Sequence, residues 1–173
     1  MSYIYTTNDI AVFLFAANLK LSDEQKVLSE LWREQEHIDE KYCHNEFAFK
    51  REVTREMDLI MPGASEELDE LDLIMRDVDP GYELFNSDFE RDVILQFFKI
   101  IRLELLYIPN RDYYKIKLRR LLKYFRYKRR SQALVQNIKQ SMDLLSLAPY
   151  LRGRVPCDVA LIDIDDMVMI RLK

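Results

Sequence analysis

Apolar side chains recur every three to four residues along most of this chain, the period of an α-helix with one buried face. Ile10, Phe13, Leu14 and Ala17 set the first stripe, with Asn8 or Asp9 placed to cap it and an end near Lys20. A second start follows at Leu21-Ser22-Asp23-Glu24-Gln25, where Ser22 and Gln25 have capping-box spacing. Behind it Val27, Leu28, Leu31, Trp32, Gln35, Ile38 and Tyr42 turn inward and leave Glu24, Lys26, Glu30, Arg33 and Glu36 to water. The same period continues through Phe49, Val53, Met57 and Ile60 until Pro62-Gly63. A single helix of that length is unusual, so a break is expected near Cys43-His44-Asn45.

Ser65 opens a short acidic helix over 66–77, with Leu68, Leu71, Ile74 and Met75 inward, and Asp79-Pro80-Gly81 is a loop. Ser87-Asp88-Phe89-Glu90 is another capping box. The helix after it carries Phe89, Val93, Ile94, Leu95, Phe97, Phe98, Ile100, Ile101, Leu103, Leu105 and Leu106, apolar on nearly every side, and ends at Pro109-Asn110. Such a helix is either the buried centre of a bundle or a face that meets a partner. Asp112 is placed to cap a further helix over 111–130 with Tyr114, Leu118, Leu121, Leu122 and Phe125 inward, and the pattern runs on through Leu134, Val135, Ile138, Met142 and Leu145 to Pro149.

The period changes near the end. Ala160, Ile162, Ile164, Val168, Ile170 and Leu172 share one parity, which predicts two strands bent near Asp165-Asp166, and Tyr3–Thr6 can add a third. The expected fold is therefore mainly α: a bundle of five or six helices with a small C-terminal β element. A single helical domain over 1–173 is expected, with an acidic helical part (8–108), a basic helix and its successor (111–148) and a β tail (158–173). The composition agrees. Nearly half of the 173 residues are hydrophobic, enough for an ordered core, while three glycines and five prolines are too few for an all-β sandwich.

Charge changes the picture most. The formal net charge of −4 conceals 11 Lys and Arg against 24 Asp and Glu in residues 1–110, then ten cations against Asp112 alone in residues 111–130. The basic segment offers Arg111, Lys115, Lys117, Arg119, Arg120, Lys123, Arg126, Lys128, Arg129 and Arg130, interleaved with Tyr113, Tyr114, Tyr124, Phe125 and Tyr127. On one helix Lys115, Arg119, Lys123 and Arg126 or Arg130 would line up as a stripe. Cations draw phosphate by Coulomb attraction and counterion release, and aromatic faces stack unpaired bases. The same stripe suits an acidic protein, an anionic membrane surface, or Glu66, Glu67, Asp69, Glu70 and Asp72 of this chain or of a second copy.

Other chemistry finds less support. His37 and His44 lie near Glu34, Glu40 and Cys43, but a helical metal site needs its Glu-x-x-His motif twice, so this group reads as a charged surface and no metal or other cofactor is expected. Asp163-Ile164-Asp165-Asp166, behind the apolar run 159–162, resembles the strand-end aspartates of haloacid-dehalogenase-type phosphatases over these few residues only. Met167 stands where that family has Thr or Val, and seven residues follow where the family continues into a long α/β domain, so a polar turn is the better account. Neither a Gly-x-Ser-x-Gly elbow nor a glycine-rich phosphate loop is present.

Cys43 and Cys157 make no disulfide framework, which points to a reducing, intracellular setting, cytoplasmic or nuclear. The apolar run 10–17 is too short to span a bilayer and has no basic residue before it, so neither a transmembrane segment nor a secretory signal is expected. The expectation is a non-enzymatic assembly protein, a subunit that docks a protein partner or its own copy through the basic helix and apolar surfaces. Nucleic-acid binding by 111–130 is the alternative.

Overall fold

Thr6, not Asn8 or Asp9, starts the first helix, α1 (Thr7–Ala17): its hydroxyl accepts the Asp9 amide while the Asp9 carboxylate accepts the Thr6 amide. Asp9 thus holds the third position of a capping box. Asn18 ends the helix in the left-handed conformation (φ 46°), which asparagine tolerates better than most residues. The computed structural model describes residues 5–60 and 87–173. The acidic helix expected over 66–77, the stop at Pro62-Gly63, the loop at 79–81 and the side chains of the Ser87–Glu90 box lie outside the described residues.

Helix α2 (Leu21–Arg33) begins two residues earlier than the Ser22-Gln25 box implies; its cap is Lys20, without a side-chain bond, so Ser22 lies inside the first turn. The expected break in the long stripe is a whole connecting segment. Two 3-10 turns, Gln35–His37 and Glu40–Tyr42, separate α2 from α3 (Glu46–Leu59). Trp32 Nε1 donates to the Tyr42 carbonyl at 3.0 Å and Gln35 Nε2 to that of Cys43 at 2.7 Å, which folds the segment back over the end of α2. Asn45 then caps α3 through the Ala48 amide. Tyr5 forms a parallel bridge with Ile38, so this strand-like residue pairs here and not with the C-terminal sheet; Tyr3 and Ile4 lie outside the described residues.

Helix α4 (Ser87–Tyr107) is apolar all round because it is a wall shared by two cores. Leu103 is buried with Tyr5, Ile10, Phe13, Leu14, Leu28, Leu31, Phe49 and Val53 of the first core. Ile94, Phe97, Phe98, Ile101 and Leu105 belong to the second. Phe97 is its aromatic hub: its ring centroid lies 4.6 Å from that of Tyr124, 5.3 Å from those of Phe98 and Phe125, and 6.2 Å from that of Tyr114. Each fully buried Phe contributes about 1.5–3 kcal/mol.

The basic segment is not one helix. Residues 114–117 form strand β1 (Tyr114–Lys117), α5 is short (Leu118–Tyr124), and Arg126 at φ 64° turns the chain before α6 (Gln132–Leu144), which Ser131 caps through the Leu134 amide. Asp112 precedes β1 and caps no helix. Strands β2 (Leu147–Leu151), β3 (Val155–Pro156) and β4 (Met167–Leu172) complete an antiparallel sheet of order β1-β4-β2-β3. Pro149 lies within β2 and does not close a helix. Residues 159–164 are not a strand either; Val159 is buried, and Ile162 and Ile164 pack on the second core, which gives the segment its apolar parity without sheet pairing. Six α-helices among the described residues and this small sheet make the protein mainly α with a minor β element.

Candidate cationic docking surface

Three of the ten cations in 111–130 are used by the fold itself. Arg111 Nη1 lies 3.0 Å from the buried Glu104 carboxylate, and its guanidinium sits over the Tyr114 ring. Arg119 donates from Nε and Nη2 to both carboxylate oxygens of Asp165, each at 2.7 Å, a bidentate pair. That bond holds the Asp165 carboxyl below its ordinary range. Arg130 Nη1 meets the carbonyls of Val159, Ala160 and Ile162 at 3.2, 3.0 and 2.6 Å and so pins the loop before β4.

The other seven, Lys115, Lys117, Arg120, Lys123, Arg126, Lys128 and Arg129, are exposed, and their side chains have no ion pair or hydrogen bond among the described residues. The expected stripe does not form. Lys115 projects from β1, Arg119 is drawn to Asp165, and Arg126 lies beyond the end of α5. What remains is a set of local surfaces: Arg120 and Lys123 on one turn of α5, then Arg126, Lys128 and Arg129 in the connection to α6. Two tyrosines are exposed near them. Tyr124 is 59% exposed with one side on Phe97, and Tyr113 is 43% exposed with the Arg171 guanidinium 5.0 Å from its ring centroid.

The sheet adds cations that the one-helix expectation missed. Register places Lys115 opposite Met169 and Lys117 opposite Met167, and Arg171 lies next along β4. The turn between β2 and β3 is Arg152-Gly153-Arg154, with Gly153 at φ 82° and Arg154 at φ 61°. Glycine carries the first of these at no steric cost. None of the four strands contains an Asp or Glu. The sequence holds only a short signal of this: Tyr114-Lys115-Ile116-Lys117 alternates with period two, and residues 144–157 hold two arginines and no acid.

The acids after β3 are occupied locally. Asp158 pairs with Lys139 at 2.7 Å; the Asp163 carboxylate accepts the Asp165 amide, and the Asp166 carboxylate accepts the Asp163 amide. The aspartates that resembled a phosphatase motif are thus turn acceptors. Glu34 accepts the Tyr107 hydroxyl at 2.8 Å, and among the described residues no cluster of three His, Cys, Asp or Glu side chains is arranged to hold a metal ion. Cys43 and Cys157 are free thiols; burial and the nearby Asp158 and Asp166 push the Cys157 thiol up. Among the described residues no helix is long and apolar enough to cross a membrane. No family model, curated protein or solved structure matches the chain.

Proposed function

We propose that this chain works by binding and not by catalysis: an assembly subunit that docks an acidic protein partner on the cationic surface of residues 115–129. The observation that carries this reading is the seven exposed cations of 115–129 left without an ion pair among the described residues. Within 111–130 the fold itself uses Arg111, Arg119 and Arg130. Seven like charges within fifteen residues of chain repel one another, and an acidic partner relieves that repulsion on contact. The overall charge of −4 repels an extended polyanion at long range but is screened beyond about 10 Å, so a compact acidic patch is favoured over a long phosphate backbone. The exposed Tyr124 beside Arg120 and Lys123 favours a second reading, stacking of unpaired bases.

The test is binding of labelled poly-glutamate and of single- and double-stranded nucleic acids at low and physiological salt. The comparison protein carries Arg120→Glu, Lys123→Glu, Lys128→Glu and Arg129→Glu, with folding checked by circular dichroism. Salt-sensitive poly-glutamate binding that the variant loses is the expected result. Tighter single-strand binding that falls on Tyr124→Ala installs the nucleic-acid reading instead, and no binding to any probe removes both.

A further inference from the structure

We infer that the outer face of the four-stranded sheet seats an acidic amphipathic helix of the partner protein. This inference rests on the docking reading above and names the partner's chemistry. Side chains alternate between the faces of a strand, so register assigns each face. Ile116, Val168, Ile170 and Leu147 turn inward and are buried in the second core. Their neighbours, Lys115 and Lys117 on β1, Met167, Met169 and Arg171 on β4, and Tyr150 on β2, share the opposite face.

That face has an unusual composition. An antiparallel sheet covered on one side shows polar residues on the other. Here the middle of the open side is Met167, Met169 and Tyr150, each half-buried and none packed against either core. Its rim is cationic, and the strands supply no carboxylate. On that rim Arg171 holds its guanidinium over the Tyr113 ring and donates from Nη1 to the Asp112 carbonyl at 3.4 Å. Apolar centre and cationic rim together call for a ligand with apolar side chains flanked by carboxylates. A phosphate backbone meets the rim but gives the methionines nothing, whereas methionine adapts to varied apolar partners.

Dimensions favour a helix. Three strands span about 10 Å at the usual strand spacing, close to the roughly 10–12 Å width of a helix with its side chains. Lys115 and Lys117, two residues apart on one strand, stand about 7 Å from each other. Carboxylates three or four residues apart on a helix are about 5–6 Å apart at Cβ, within reach of both ammonium groups.

The experiment uses the full chain and a labelled synthetic helix with Glu at three- and four-residue spacing beside a Leu stripe. A scrambled peptide of the same composition is the control. The expected result is binding at least about tenfold tighter than the scrambled peptide. Lys115→Glu with Lys117→Glu, and separately Met167→Gln with Met169→Gln, should each weaken it about tenfold at unchanged melting temperature. Arg120→Glu with Lys123→Glu should weaken it far less. Equal binding of the scrambled peptide, or loss only on the α5 changes, overturns the sheet-face seat and leaves cationic docking standing. Binding of poly-glutamate with none of the amphipathic peptide does the same. Self-association of the wild type that the methionine changes abolish overturns it in favour of a second copy. Competition by single-stranded RNA for the sheet face overturns it in favour of nucleic acid.

Discussion

The Lys99 ammonium lies 2.9 Å from Oδ2 of Asp9, the same oxygen that accepts the Thr6 amide at 3.0 Å. One carboxylate therefore caps α1 and ties it to α4. Asp9 is only 4% exposed, so its charge depends on these two partners. Lys99→Met leaves the carboxylate buried with the amide alone, and we predict a loss of about 3–5 kcal/mol in urea unfolding. Asp9→Asn combined with Lys99→Met should recover most of it. A single-variant cost below about 1 kcal/mol would show that the pair adds nothing to the fold.

Arg130 is predicted to behave as a structural residue and not as part of the docking surface. Its Nη1 atom satisfies three carbonyls of the loop before β4. In Arg130→Met those carbonyls lose a charged donor, and local opening should become easier by about 1–3 kcal/mol. Hydrogen exchange of amides 159–166 should speed up while α1–α3 stay unchanged. Arg130→Lys should retain part of the protection, since an ammonium also offers several donors from one nitrogen. Uniform exchange in Arg130→Met and wild type would remove the loop-pinning role.

Glu104 sets an expected pH dependence. Burial pushes its carboxyl above the ordinary range, partly opposed by the Arg111 guanidinium. It is 8% exposed, and Arg111 Nη1 lies 3.0 Å from Oε2 without hydrogen-bond alignment. A raised folded pKa means that the folded state holds this proton longer than the unfolded state does. Stability from this group is therefore present at low pH and is lost as pH rises from the unfolded value through the folded one. Glu104→Gln should gain on the wild type across that window when melting temperatures are compared between pH 4 and pH 8. Asp158 and Asp165, held down by Lys139 and Arg119, act in the opposite sense: their contribution is present above the unfolded value and fades as pH falls below it. A Glu104→Gln difference that stays flat with pH would place the carboxyl in its ordinary range.

The helices were legible where burial alone decides the pattern. The stripes of α1, α2 and α3, and the all-round apolar α4, each reported the surface they cover. Residues 111–130 were misread because two signals overlap there. Cations at three- and four-residue spacing suggest a helix, while Tyr114-Lys115-Ile116-Lys117 alternates over too few residues to outweigh them. The deciding partner is β4, some 50 residues away, and local spacing carries no trace of such a pairing. The same distance hid the sheet face, where Lys115, Met169 and Tyr150 form one row although they belong to three separate strands. Capping was legible in type but not in position: Thr6-Asp9 uses the chemistry expected of Ser22-Gln25.

Strand order also bears on how the chain matures during synthesis. β4 lies between β1 and β2, so those two strands cannot pair with each other in the native register. Until residues 167–172 are free to fold, neither β1 nor β2 has β4 to pair with. Among the described residues the first core draws on residues 5–60 and 100–108 and can consolidate earlier. The nascent protein thus passes through an interval with one half packed and the other presenting open strand edges, the stage at which such chains are captured by chaperones or lost to aggregation.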